Sequence, residues 1–402
     1  MACGLLVIPA VRPLLLAASL AAGCTAPATG PSGDGPEGGA AGAPDGGSAD
    51  AGGELEPGDA FLGGFFPIAA DFQPHRDFEK WQRRGVNTVV RVPGEDSVGD
   101  WSRAAGELGL KMIREPRSDP KDDRDEEGLL AWHWRDEPEL HGIPASELAD
   151  FRRRMREVDP ERPIIVNFWG GGMLQADGDG CYNGHCYPDY VEHADWLSDD
   201  IYPCNKFACD VELVGEMVSQ LRRWGDHQPS FAYVETGDFD GDGTGPSPRR
   251  FAAEVWSAVI HGARGIFYFS ARVKVPCSSG CLLGYDMTEP DVADEMKRVN
   301  ARLTRLAPVL QRRINPDEVS MDGPDGLEIG WRRGPVGESF YFLVLNPEDA
   351  HRDGVSLDLH GVHPSGTVKV IDEGREVEVA AGNAIVDDFD PYEIHIYELP
   401  AD

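Results

Sequence analysis

Basic side chains are scarce in this sequence: 37 Lys and Arg stand against 70 Asp and Glu in 402 residues, a formal net charge of −33. A phosphate backbone needs a positive face, so nucleic acid is excluded as a partner and polyanionic substrates are disfavoured. The apolar stretch at 14–22 is too short to cross a bilayer. No Gly-rich phosphate turn follows an early apolar run, which counts against a doubly wound nucleotide-binding sheet. No cysteine pair has the two-residue spacing of a zinc knuckle. What is present is globular material, 41% hydrophobic, long enough for a large catalytic domain and an accessory one.

Residues 1–23 read as an export signal, with Arg12 as the only charge ahead of the apolar stretch. They end Leu20-Ala21-Ala22-Gly23 before Cys24. That run resembles the lipobox of bacterial lipoproteins, and the resemblance implies cleavage before Cys24 and its lipidation. Residues 24–58 are nearly all small or acidic, with Leu55 the one large apolar side chain, so they cannot offset the entropy of ordering. They read as a tether reaching roughly 30 Å. The expectation is an exported protein held to a membrane through its lipid alone. Six further cysteines fall into three close pairs, Cys181 with Cys186, Cys204 with Cys209 and Cys277 with Cys281. In an oxidising compartment these read as disulfides closing short loops.

From residue 59 to 313 short apolar runs alternate with helical segments. The runs fall at 61–67, 88–92, 111–114, 129–134, 164–168, 196–202, 230–234 and 265–269. Residues 145–158 place Leu148, Phe151, Met155 and Val158 on one helix face. Residues 248–260 start after Ser247 with Pro248 in the first turn. Residues 291–310 carry Val292, Met296, Val299, Leu303 and Leu306 at helical spacing. The third helix, near 119–127, is short and highly charged. Eight strand-and-helix units predict an α/β fold, a (β/α)8 TIM barrel. Residues 314–402 then switch to short alternating strands, seven of them, which predict a small C-terminal antiparallel β-sandwich.

Barrel enzymes carry their reactive groups where strands end at the C-terminal face. Strand four ends Trp134-Arg135-Asp136-Glu137-Pro138, and strand seven ends Tyr233-Val234-Glu235. Two glutamates so placed can flank one bond, which is what glycosidic hydrolysis needs: an acid for the leaving oxygen and a carboxylate for the anomeric carbon. Here the chain resembles the retaining glycoside hydrolases of clan A, across roughly residues 60–310. The resemblance implies Glu137 as acid/base and Glu235 as nucleophile, with carboxyl groups about 5–5.5 Å apart. It also implies that Arg91, in Val89-Val90-Arg91-Val92, keeps the nucleophile ionised, and that Tyr202, ending strand six, hydrogen-bonds it. The clan usually has Asn before the strand-four glutamate. Asp136 stands there instead and accepts rather than donates when ionised. Residues 251–269 are similar, more loosely, to the matching region of β-galactosidase-like family 42 relatives.

Asn167 and Trp169, at the end of strand five, are substrate-binding candidates, the indole as a stacking surface for a sugar face. Strand alternation assigns Trp134 to the core. The three cysteine pairs follow strands five, six and eight, on the face where substrate would bind. Asp238, Asp240 and Asp242 resemble half of a calcium loop, but Arg249 stands where the closing glutamate belongs, so a solvated acidic turn is the expectation and a structural calcium the alternative. No organic cofactor is implied. The leading expectation is thus an exported glycosidase acting on an oligo- or polysaccharide by a retaining double displacement. A non-catalytic carbohydrate-binding barrel lipoprotein is the other.

Overall fold

The computed structural model describes residues 60–400, except 227, 240, 242, 273–281, 313–317 and 335–338. The leader, Cys24, the tether and the Cys277–Cys281 pair lie outside the described residues. Eight parallel strands close into a barrel: β1 (Ile68–Asp71), β2 (Thr88–Val90), β3 (Lys111–Arg114), β4 (Leu129–Asp136), β5 (Ile164–Trp169), β6 (Trp196–Asp200), β7 (Ser230–Glu235) and β8 (Ile266–Phe269). They follow one another in sequence order, and β1 closes the ring on β8 with Ile68 opposite Ile266. The helices after them are α1 (Phe78–Gln82), α2 (Val98–Glu107), α3 (Ala145–Val158), α4 (Tyr187–Val191), α5 (Glu212–Trp224), α6 (Pro248–Ile260) and α7 (Pro290–Leu310).

The strands are apolar on both faces because one face fills the barrel while the other meets the helices. Inside, Ala69, Val90, Ile113, Ala131, Ile165, Trp196, Phe231, Tyr233 and Phe267 pack as one cluster. Outside, Trp132, Trp134, Val166, Leu197, Val234 and Tyr268 join the larger core under the helices, so Trp134 is a core residue as alternation requires. Helix α6 begins as its sequence indicates. Ser247 accepts a hydrogen bond from the N–H of Arg250, and Pro248 needs no donor at the first turn.

Residues 61–67, expected as the first strand, instead open with a 3-10 turn, Phe61–Gly64, and β1 starts at Ile68. Leu62, Gly63 and Gly64 take φ of 49°, 62° and 86°, which no strand accommodates. The turn lays Phe61 5.6 Å from the ring of Trp196 and 6.4 Å from Phe231. Those residues begin β6 and β7, so Phe61 stoppers the floor of the barrel.

The third unit carries a 3-10 turn, Pro120–Asp123, where its neighbours carry a helix. An ion-pair network substitutes for helix packing. Arg114, fully buried at the end of β3, donates to Asp123 at 2.7 Å and to Ser102 at 2.9 Å. Arg117 reaches Asp123 at 3.2 Å and Glu126 at 3.0 Å.

Beyond the barrel, eight antiparallel strands form one sheet: β9 (Ser320–Asp322), β10 (Glu328–Arg333), β11 (Ser339–Leu345), β12 (Arg352–His360), β13 (Thr367–Val370), β14 (Arg375–Ala380), β15 (Ala384–Phe389) and β16 (Ile394–Pro400). Their order is β9-β12-β15-β14-β13-β16-β11-β10. The sheet folds over its own core, as a sandwich does. Seven strands were expected; β9 is the addition, too short for its alternation to show. Along β12, Val355, Leu357 and Leu359 are buried while Ser356, Asp358 and His360 are exposed, as the pattern requires.

The sheet docks on α6 and α7. Glu328 accepts from Ser257 at 2.9 Å, buried Arg332 donates to the carbonyl of Val259, and Asp372 takes Arg302 at 3.1 Å. Gly330 lets β10 approach α6 closely, since a Cβ there would lie 2.8 Å from the carbonyl oxygen of Ile260. Gly330→Ala is therefore expected to cost about 1–3 kcal/mol, by the usual penalty of overpacking. The midpoint of urea unfolding measures it.

Candidate active site

Local backbone irregularities place the polar groups at the barrel mouth. The pairing of β4 with β5 shifts register between His133 and Asp136. Strict alternation would turn Arg135 inward. The shift leaves Arg135 exposed and turns Asp136 in instead. Arg91 and Glu137, directly after β2 and β4, hold φ of 51° and 43°. Such backbone costs roughly 1–3 kcal/mol at a residue with a side chain and concentrates at working sites.

Arg91 sits at the centre of the cluster. It donates to both carboxylate oxygens of Asp71, one at 2.8 Å, and to Asp136. Asp136 also accepts from the amide of Asn167 at 3.0 Å, and Asn167 takes the hydroxyl of Ser198 at 3.0 Å. Tyr233 reaches Asp71 at 3.4 Å. The arginine was expected to serve Glu235 but serves Asp71 and Asp136. The reason is position: it leaves β2, next to β1 and separated from β4 by one strand, while Glu235 ends β7. Tyr202 was expected to hydrogen-bond Glu235; its ring instead stacks on Phe269 at 5.3 Å and meets Phe239 edge-on at 5.0 Å.

The carboxyl groups are driven apart in acidity. At Asp136 burial raises the pKa, but the charge of Arg91, with His133 and the Asn167 hydrogen bond, outweighs it and leaves the group below the ordinary range. Glu137 moves up, through burial first and the charge of Asp136 second, against a hydrogen bond with Asp200. Asp200, at the end of β6, is pushed well up by burial and then by the charges of Glu137 and Asp136. Glu137 and Asp200 are thus both shifted toward the protonated form, beside an Asp136 shifted toward the ionised one. Access differs as well, with side-chain exposure of 37% at Asp136 and 19% at Glu137. His141 lies 3.7 Å from Glu137.

Glu235 is elsewhere in character. It is 0% exposed. One oxygen accepts from the N–H of Cys204 at 2.5 Å; the other accepts from the N–H of Asn205 at 3.1 Å and from its side-chain amide. Glu254 of α6, fully buried, brings a carboxylate oxygen within 4.8 Å of it, and burial lifts Glu235 to about 7. The hydrogen-bond partners of Glu137 and Glu235 are thus different residues.

Trp169 rests its ring against the backbone of a single helical turn, Gly170–Met173. A Cβ at Gly171 would fall 2.6 Å from the indole. Its edge meets Tyr182 at 5.5 Å, on the hairpin closed by the Cys181–Cys186 disulfide. The backbone N–H of Trp169 donates to Glu139 at 2.7 Å. Glu139 is a buried carboxyl pushed up to about 8 by desolvation. Cys204 and Cys209 form the second disulfide. Asp238 accepts from the N–H groups of Gly241 and Gly243 at 2.8 and 2.7 Å. Asp240 and Asp242 lie outside the described residues, and the acidic turn closes on itself at Asp238.

Sequence reasoning missed Asp71, Asp200, Tyr233 and Glu254. Asp71 was hidden by the misplaced first strand. The other acids carried a usable signal: Asp199-Asp200 ends an apolar strand, and Glu254 interrupts the buried face of α6 between Phe251 and Val255.

No family model and no curated protein matches the sequence. Among solved structures the chain is similar to an α-amylase from Anoxybacillus, at TM-score 0.53 and 10% identity over 82% of this chain and 90% of that one. An α-amylase from Lactobacillus plantarum compares at 0.53 and 10%, over 83% and 98%. A putative α-galactosidase/melibiase from Bacteroides fragilis compares at 0.52 and 12%, over 85% and 80%. At such identities the likeness is one of fold, a (β/α)8 barrel followed by a β domain.

Proposed function

We propose that this protein is a glycoside hydrolase acting on an oligo- or polysaccharide, with Glu137 as the proton donor to the leaving oxygen. The observation that carries the reading is the contrast at the barrel mouth: Asp136 paired with Arg91, partly exposed and held below the ordinary range, beside Glu137 and Asp200, both pushed above it. Cleaving an acetal calls for one carboxylate and one carboxylic acid, and environments that push two acids apart assign those roles. In a retaining double displacement Asp136 would attack the anomeric carbon while Glu137 protonates the departing oxygen. Glu137 would then take a proton from the water that releases the sugar.

The residue first expected as nucleophile, Glu235, is a second candidate. Its place at the end of β7 and its three N–H donors favour it; its burial and its pKa near 7 disfavour it. A panel of 2-deoxy-2-fluoro glycosides, followed by peptide mass spectrometry, separates the two. A label on Asp136 supports the assignment, and a label on Glu235 restores the glutamate pair. The electrostatic coupling of Glu137 to the buried Asp200 also leaves room for a non-catalytic carbohydrate-binding barrel. That reading prevails if a broad glycan panel shows binding without release of reducing ends.

Two disulfides fit an oxidising compartment. Among the described residues no helix is long and apolar enough to cross a membrane. We place the protein outside the cytoplasm, lipid-anchored through Cys24. Radiolabelled palmitate should enter the wild-type chain expressed in a bacterial host, and Cys24→Ala should abolish that labelling.

A further inference from the structure

Glu235 is fully buried, and its carboxylate is held by a loop of the neighbouring strand. Its three donors come from Cys204 and Asn205, in the single helical turn Pro203–Lys206. That turn begins three residues after Asp200 and directly after Tyr202. Asn205 extends the tie from the β6 loop to the β7 loop. Its amide donates to the carbonyl of Gly237 at 2.9 Å, and its oxygen accepts from the N–H of Phe239 at 2.8 Å.

The turn is held closed from its far side. Phe207 and Cys209 both donate to the carbonyl of Pro203, at 2.7 and 3.0 Å. Ala208 and Cys209 take φ of 56° and 63°, two consecutive side-chain-bearing residues in the left-handed region. Neither gains anything from that conformation by itself. The Cys204–Cys209 disulfide spans the pair and keeps them there.

We propose that Glu235 and the Cys204–Cys209 loop form a clasp that fixes Asp200 against Glu137. Glu235 is then a positioning residue, acting through the segment its carboxylate anchors. The inference rests on the reading of Glu137 and Asp200 as the proton-holding pair. The clasp pulls the start of the β6 loop toward β7 at two backbone N–H groups, so Asp200, four residues before Cys204, cannot swing away from β4. Opening the loop lets Ala208 and Cys209 relax and draws the N–H groups off Glu235. The groups that share the electrostatics of the pair are Asp136 of β4, Arg91 after β2, His141, Tyr202 after β6, Tyr233 of β7 and Tyr187 of α4. Glu254 of α6 faces Glu235.

The test uses the whole folded chain without sugar. Side-chain carboxyl carbons are labelled in Asp and Glu, and the resonances of the pair are identified with Asp200→Asn. In the wild type the pair should titrate in two steps, the upper one displaced above the ordinary carboxylate range. In the double variant Cys204→Ser/Cys209→Ser the upper step should fall by a pH unit or more, and Asn205→Ala should move it the same way. Cys181→Ser/Cys186→Ser, which opens the other disulfide, should leave it in place. A folded Cys204→Ser/Cys209→Ser protein with an unchanged titration overturns the clasp. Should that variant fail to fold, an unchanged titration in Asn205→Ala overturns it. Absence of hydrolysis in the wild type would remove the catalytic reading while leaving the titration shift, and so the clasp, intact. A fluoroglycoside label on Glu235 overturns the positioning role.

Discussion

Asp136→Asn will lower kcat/KM for an activated aryl glycoside by about 10³-fold or more, the scale of losing a group that acts directly in the transition state. The substitution keeps the shape and the hydrogen bond with Asn167 while removing the charge that faces the reacting carbon. It also leaves Arg91 with Asp71 as its remaining carboxylate partner, so the mouth keeps its architecture. The pH profile adds a check that a merely structural loss would not pass. Asp136 must be ionised and is held below the ordinary range, so the acidic limb of kcat/KM should lie below ordinary carboxylate values. Glu137 and Asp200 must keep their proton and are raised, so the basic limb should lie above those values. Arg91→Gln removes the charge that holds Asp136 down, and the acidic limb should then move up in pH. Glu137→Gln should cost about 10²–10⁴-fold with a poor leaving group, and much less with a leaving group that departs without protonation. An Asp136→Asn protein with wild-type turnover ends the assignment.

Asp123→Ala should destabilise the fold by about 3–5 kcal/mol, the cost of leaving a buried partner charge uncompensated. Arg114 and Asp123 are both 0% exposed at their side chains, and no rearrangement returns the guanidinium to water while β3 stays in the barrel. The double variant Arg114→Met/Asp123→Leu removes both charges and should recover most of the loss. Chemical denaturation of the three variants measures the difference. A loss under 1 kcal/mol for Asp123→Ala would show that the third unit is held by something other than this pair.

These expectations depend on features of unequal visibility in the sequence. Helices α3 and α6 could be bounded to the residue, because apolar spacing, Ser247 and Pro248 all act within a few positions. The first strand could not. Phe61 and Leu62 are as apolar as any strand residue, and their use as a floor stopper depends on β6 and β7, far along the chain. At the mouth, Glu137 and Asp136 were found because a strand end marks them. Which of the acids is ionised is a property of Arg91 reaching across from β2, and of one register shift in β4, neither of which leaves a local trace. Glu235 shows the converse. Its strand position was right, and only the fold of the Pro203–Lys206 turn reveals the three N–H donors that its carboxylate accepts.

Closure of the ring pairs β1 with β8, nearly two hundred positions along the chain, and the N–H of Phe61 bonds the carbonyl of Gln311, farther still, beyond α7. A chain emerging from the ribosome therefore makes β1 early and must leave one of its edges bare until β8 arrives. On the export proposed above, this delay would be useful. A barrel that cannot close before residue 269 stays threadable until nearly all of the barrel sequence has been made.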